Sequence, residues 1–221
     1  MEQSVKPSSE ENFLYLFMKY KTAVITLLII AFSAGAGTFF WMRYQKTQEQ
    51  EAALQLSRIA PALDQGDIYT AINGKGSIAG LKKIADDYAG KYTGTPSGNM
   101  ANLLLANAYY SSKEYSKALP IFKAVAIAND DLAAAALAGA GDCLFNTNQF
   151  QQASEQYQNA AKKAENSALK AQYLTQAANS HRQLKELAKA SELYKKIVAE
   201  YPGSTGAALA QRALWQISGN L

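Results

Sequence analysis

One cysteine and one histidine among 221 residues remove several kinds of chemistry at the outset. Cys143 has no partner in the chain, so no intrachain disulfide forms and no cysteine cluster has metal-ligand spacing. A chain without cysteine pairs is equally at home on either side of a bacterial inner membrane. The sequence offers no glycine-rich phosphate loop, no paired carboxylates in an evident cleft, and no Ser-His-Asp or Cys-His set built on its one His and one Cys. The expectation is a non-enzyme with no catalytic residue, no metal, no cofactor and no small-molecule substrate. A block of one charge is also missing. The 22 Lys and Arg against 18 Asp and Glu leave a net charge of +4 spread along the chain, with no basic run to track a phosphate backbone, so nucleic acid is not an expected partner.

What is present begins with a run of 21 residues, Thr22 to Met42, without a charge. A helix of about 20 such residues crosses the ~30 Å hydrocarbon core. Lys19 and Lys21 stand at one rim and Arg43 and Lys46 at the other, with Tyr20, Trp41 and Tyr44 where amphipathic rings favour the headgroups. A cleaved secretory signal is the rival, with Ala23 to Phe32 as its apolar core and Ala34-Gly35-Ala36 as its cleavage site. Glu2, Glu10 and Glu11 in the leader and the apolar resumption through Phe39, Phe40 and Trp41 argue for the anchor. No Cys follows the core, so there is no site for a lipoprotein acyl group. Counting basic residues leaves the orientation open, with Lys6, Lys19 and Lys21 before the span against Arg43, Lys46 and Arg58 after it. Ala31, Gly35 and Thr38, with Ser33 and Gly37 read as a neighbouring row, form a small-residue stripe to which a partner's transmembrane helix could dock.

The expected organisation is a polar leader over 1–21, the span over 22–42, a stalk or first packing helix with its connection over 43–76, and repeats with a capping helix over 77–221. Within the connection, Ile68 to Ser77 reads as loop.

The repeat is legible as recurring positions. Ala106-Asn107-Ala108-Tyr109, Tyr115, Ala118 and Phe122 align with Gly141-Asp142-Cys143-Leu144, Phe150, Ala153 and Tyr157, and then with Ala178-Asn179-Ser180-His181, Leu187, Ala190 and Tyr194. The alanines at 118, 153 and 190 are 35 and 37 positions apart, close to the tetratricopeptide period of about 34. Each unit reads as two antiparallel helices that cross on small residues, with Tyr109, Tyr115, Phe122, Phe150, Tyr157 and Tyr194 filling the space beside them. A degenerate unit over Ile78 to Tyr92 precedes them, with Leu81, Ile84, Ala85 and Tyr88 on one face. Gly206 to Ile217 is expected to cap the array through Leu209, Leu214 and Trp215. The fold class predicted is all-α, a transmembrane helix followed by a tetratricopeptide-like superhelix.

Repeats of this kind bind ligands on the face lined by first helices. Helical spacing predicts a protein-binding groove of Leu103, Asn107 and Tyr110, then Ala138, Asp142 and Phe145, then Thr175, Asn179 and Arg182. Asn107, Asn179 and Arg182 have the right types to grip a peptide carboxylate, but Asp142 between them would repel it. His181, at a packing position, reads as a partly buried structural residue.

The layout resembles the bacterial ancillary Sec-translocon subunits, single-pass inner-membrane proteins with a periplasmic tetratricopeptide-like domain. The resemblance rests on Phe13-Leu14-Tyr15-Leu16-Phe17-Met18-Lys19 before the span, on Trp41-Met42-Arg43-Tyr44 at its end, and on the Gln- and Ala-rich helix that follows. The better-formed repeats and the Tyr201-Pro202-Gly203-Ser204 ending depart from that pattern toward repeat proteins of envelope assembly machineries. The resemblance implies a periplasmic C-terminal domain, association with the protein-conducting channel and membrane-anchored chaperones, and hand-over of client polypeptides. A structural subunit that holds together a larger membrane or envelope complex is the other function open to these parts. A reporter active only outside the cytoplasm, fused after Leu221, is expected to be active while the protein stays in the membrane fraction. Release of a shortened soluble form starting near Gly37 would instead identify a cleaved signal.

Overall fold

Helix formation follows the cap chemistry. In the computed structural model, which describes residues 15, 18–88 and 95–219, an N-cap side chain of the preferred Ser, Thr or Asn type opens each of four helices. Thr95 accepts from the Gly98 amide, Asn129 from Leu132, Asn166 from Ala168 and Leu169, and Ser204 from Ala207. The elements are α1 Lys21–Asp64, α2 Ile68–Asn73, a two-residue hairpin of β1 Gly74–Lys75 and β2 Ile78–Ala79, α3 Leu81–Tyr88, α4 Pro96–Ser111, α5 Tyr115–Ala124, α6 Asp130–Asn146, α7 Phe150–Lys163, α8 Ser167–Gln183, α9 Leu187–Glu200 and α10 Thr205–Ser218. Apart from the hairpin, every regular element among the described residues is helical.

The chain forms two compact units that meet between Thr47 and Gln48. In the first, the large apolar side chains of α1, among them Leu27, Leu28, Phe32, Phe39, Phe40 and Trp41, are all exposed. This helix is long and apolar enough to cross a membrane. Two of its hydroxyls are satisfied within the helix: Thr26 donates to the Thr22 carbonyl at 2.8 Å and Thr38 to the Gly35 carbonyl at 2.9 Å. That removes the cost of an orphan polar group in hydrocarbon.

In the second unit the remainder of α1 is a packing helix. Ala52 and Ile59 are buried with Ala71, Ile72, Leu81, Ile84, Ala101 and Leu105. The Glu49 carboxylate accepts from the Ser97 amide at 2.9 Å and from its hydroxyl, placing negative charge on the positive end of the α4 dipole. The segment 68–77, expected as loop, is instead α2 and most of the hairpin. Gly74 makes the hairpin possible, with φ 82° and the Ile78 carbonyl oxygen 2.3 Å from where a Cβ would stand. The preceding degenerate unit supplies α3, with Leu81 and Ile84 buried. The Tyr88 side chain and residues 89–92 lie outside the described part, as do Phe13, Leu14, Leu16 and Phe17.

The helix pairs α4/α5, α6/α7 and α8/α9 each reverse through the same turn. Lys113, Asn148 and Lys185 take left-handed φ values of 61°, 60° and 63°. The following amides of Glu114, Gln149 and Glu186 return to the carbonyls of Tyr109, Leu144 and His181, a Schellman closure with a non-glycine residue at its left-handed position. The α6/α7 pair is antiparallel, because Phe145 and Phe150 touch at one end, 5.1 Å between centroids, while Asp131 accepts from the Glu165 amide at the other. At the crossings Ala106, Ala178, Ala118, Ala153 and Ala190 are fully buried. Gly141 sits so close to Tyr157 that a Cβ would lie 2.8 Å from its ring.

The terminal helix α10 packs only in part as expected, with Leu214 half-buried against the core. Leu209 and Trp215 are 47% and 67% exposed, and the buried face is Gly206, Ala207, Ala210, Ala213 and Ile217. Its contact with α8 is backbone to backbone, with the Ala171 carbonyl 2.7 Å from where a Gly206 Cβ would be. Close approach selects small residues over large ones.

Replacing Gly206 or Gly141 with Ala is expected to destabilise the full chain by about 1–3 kcal/mol, whereas Ser218→Ala on the exposed side of α10 should stay within about 0.5 kcal/mol. Denaturant unfolding in detergent followed by near-UV circular dichroism reads both. Unchanged stability at both glycines would mean that the helices do not cross there.

Candidate protein-binding surface

The residues expected in a groove separate into four kinds. Leu103 and Ala138 are buried and belong to the packing between elements, while Thr175, also buried, sits at the floor of the open space between α8 and α10. Its hydroxyl donates to the Ala171 carbonyl at 2.7 Å and also lies 3.3 Å from the Gly206 carbonyl on α10. Leu103 lies in the cluster of Ala106, Ala118, Phe122 and Cys143. One helical turn further on, the side chains emerge.

Asp142 and Asn179 are half-buried and hold the tyrosine of the partner helix in the same way. Tyr157 donates to Asp142 at 2.6 Å and Tyr194 to Asn179 at 2.6 Å, each fifteen positions along. Asn107 is the counterpart in the first repeat. There the ring is Phe122, which has no hydroxyl, and Asn107 is exposed. Burial raises the Asp142 carboxyl above its ordinary range, partly opposed by the Tyr157 hydrogen bond. Burial likewise raises the Tyr157 and Tyr194 phenols and, with help from Asp142, pushes the Cys143 thiol up to about 11, an inert structural cysteine.

Tyr110 and Phe145 pair with the first residue of the next helix, Tyr110 with Tyr115 at 5.4 Å and Phe145 with Phe150. The Tyr110 hydroxyl also accepts from Asn146 at 3.2 Å, linking two repeats. Both rings close inter-helix turns and remain half-exposed.

Arg182 is different, since it lines open space. Two adjoining cavities of about 360 and 200 Å³ lie between α8 and α10. Gln172 and Gln176 line the first, Arg182, Arg212 and Gln216 the second, and Thr175, Asn179 and Leu209 both. Gln172, Gln176, Leu209, Arg212 and Gln216 were not anticipated as site residues. Their signal was the recurrence of the cap, Thr95, Asn129, Asn166 and then Ser204, which marks α10 as one more first helix.

In the apolar unit, Ala31, Gly35 and Ala36 floor a notch between Leu28, Phe32, Phe39 and Phe40, with Thr38 on the row of Ala31. Ser33 and Gly37 are not on a neighbouring row. Two residues turn a helix by about 200°, so they lie on its other side.

His181 is 7% exposed, and the structure brings it into a set that sequence spacing did not foresee. Its Nε2 is 3.0 Å from the Ser154 hydroxyl and its Nδ1 is 2.6 Å from Glu186. This has the order of a Ser-His-acid relay, but Ser154 has no exposed surface and already accepts from Gln158 at 3.2 Å. The relay fastens α7 to the α8/α9 turn.

Two carboxylates shape the pH response in opposite senses. Glu186 is held below its ordinary 4.5 by the Lys189 hydrogen bond first and then by His181, so its contribution is complete above that value and lost as pH falls through the folded pKa. Asp142 is raised above 3.8, so stability declines as pH rises from there through its folded pKa. Asp142→Asn, which keeps an acceptor for Tyr157 as Asn179 does for Tyr194, should retain the fold and abolish that decline. Tyr157→Phe should cost about 1–3 kcal/mol by stranding the buried carboxylate. Unfolding curves between about pH 3 and pH 8 measure all three forms.

Residues 16–140 match the tetratricopeptide repeat-like domain, and no curated protein matches the chain. The match runs from the apolar helix into α6. The equivalent turns at Lys113, Asn148 and Lys185 and the equivalent tyrosine bonds of Asp142 and Asn179 extend the same construction through α9. With the matched residues covering more than half of its length, the chain belongs to the tetratricopeptide repeat-like domain family.

Proposed function

We propose that this protein is a membrane-anchored protein-protein interaction adaptor, with the apolar part of α1 spanning the inner membrane and the repeats holding protein ligands. Domains of this family are typically non-catalytic interaction modules, and the single observation that carries the reading is the pairing of such a domain with an apolar helix whose large side chains are all exposed. A surface of that size needs lipid or a partner to cover it. The first helices α4, α6, α8 and α10 line one face of a superhelix, on which Asn107, Tyr110, Phe145 and Arg182 meet the ligand. The protein-conducting channel and periplasmic chaperones are the partners that the layout favours, with emerging polypeptides as clients and the C-terminal domain in the periplasm.

In this reading the notch around Gly35 docks a transmembrane helix of the stable partner, because association in lipid comes from packing. Gly35 has no neighbour within 4 Å in this chain, so bulk there strains nothing internally. Gly35→Leu should therefore weaken co-purification with the membrane partner, and Gly37→Leu, on the other side of the helix, should not. Changing Tyr110, Phe145 and Arg182 to Ala should leave that docking intact and reduce client crosslinking, since aromatic and Arg anchors dominate many interfaces. Affinity purification from detergent with identification of co-purifying proteins reads both. The opposite pattern, with groove changes dissolving the membrane complex and Gly35→Leu doing nothing, would make the chain a structural subunit.

A further inference from the structure

The groove between α8 and α10 carries a charge that the chain itself does not answer. Arg182 and Arg212 line the same cavity with no Asp or Glu beside them, and among the described residues no carboxylate pairs with either guanidinium. Arg182 is half-buried, with its positive charge near the Tyr194 hydroxyl, which itself donates to Asn179 at 2.6 Å. Arg212 is exposed. Two unpaired guanidinium groups on one cavity repel each other, and an external anion relieves that repulsion. Arginine favours carboxylates, which accept its planar fork through two oxygens.

The rest of the groove has the composition of a peptide rather than an ion site. Gln172, Gln176 and Gln216 offer both donors and acceptors to a backbone, and the half-exposed Leu209 offers apolar contact between them. From Ala168 to Arg182 the lining runs about 20 Å along α8, far longer than an inorganic anion needs. The matching positions of the preceding repeat are Ala135, Gly139 and Asp142. There the glycine lies against Phe122 and the carboxylate is taken by Tyr157.

We propose that this groove takes an extended acidic segment of a partner polypeptide, with a carboxylate between Arg182 and Arg212 and the backbone along the glutamines. The assignment rests on the protein-interaction reading and narrows it to one ligand chemistry. It is tested with the full chain in nanodiscs by fluorescence anisotropy, using a fluorescein-labelled Glu- and Leu-containing peptide and its counterparts with Gln or Lys in place of Glu. The acidic peptide is expected to bind at least about tenfold more tightly than the Gln form and to weaken with salt. Arg212→Gln should lower its affinity about tenfold, and Arg212→Glu should transfer preference to the Lys peptide. Arg212 is exposed, so an unchanged melting curve accompanies both variants. Equal affinity for acidic and Gln peptides, or acidic binding untouched by Arg212→Glu, would overturn the assignment. So would a peptide bound no more tightly than inorganic phosphate, which would mark a simple anion site. If membrane partners still co-purify while no acidic peptide binds, the adaptor reading stands and this assignment alone falls.

Discussion

Close approach of helix backbones is the constraint on which the rest of the structure depends. Ala118, Ala153 and Ala190 on second helices and Ala106, Gly141 and Ala178 on first helices are buried because nothing larger than a methyl group fits where two helices cross. A small residue leaves space beside it, and Phe122, Tyr157 and Tyr194 occupy that space. Tyrosine in a core brings a hydroxyl that must be paired. The residue after each small one, Asp142 or Asn179, supplies the acceptor. One steric requirement thus sets three successive choices of residue in the second and third copies, while in the first the ring is Phe122, which needs no acceptor.

That chain of requirement explains what the sequence made visible. The three-fold alignment rested on small residues and rings at equal spacing, and the turns at Lys113, Asn148 and Lys185 fall in the same register. For the terminal helix, large apolar residues predict the buried face, and of Leu209, Leu214 and Trp215 only Leu214 packs against the core. Against α8 the premium is on small ones, so Gly206, Ala207, Ala210 and Ala213 turn inward while Leu209 and Trp215 are left outside. The groove row falls one turn too deep at Leu103 and Ala138, because no alignment of the repeats separates a residue facing the next repeat from one facing solvent. Asp142 looked like an obstacle to a carboxylate ligand. Its oxygen is instead engaged by Tyr157, and the cationic partner of Arg182 comes from a helix that was read only as a cap.

The Ser154, His181 and Glu186 relay is a useful counterexample to reading chemistry from hydrogen-bond order alone. A nucleophile needs a path to its substrate and donors for the developing oxyanion. Ser154 has no exposed surface and its oxygen is already a hydrogen-bond acceptor. The same three groups suit a different task. His181 sits at the end of α8 and Glu186 caps the turn into α9, so a ring with two polar nitrogens ties both to Ser154 on the previous repeat without leaving either nitrogen unpaired in the interior.

Helix α1 changes its rule for polar groups along its length. From Thr22 to Met42 the exposed side chains are uncharged and mostly apolar, and each hydroxyl with a partner finds it in its own helix, Thr26 at Thr22 and Thr38 at Gly35. That arrangement is indifferent to what surrounds the helix, which is what hydrocarbon demands. From Gln48 onward the helix buries Ala52 and Ile59, and Glu49 reaches out of it to the amide of Ser97 at the start of α4. A carboxylate bound to another helix's N-terminus gains from that dipole only where water does not screen it fully and lipid does not forbid the charge. The placement of Glu49 just beyond the apolar run therefore puts a long-range polar contact of α1 where the membrane reading requires the hydrocarbon to have ended.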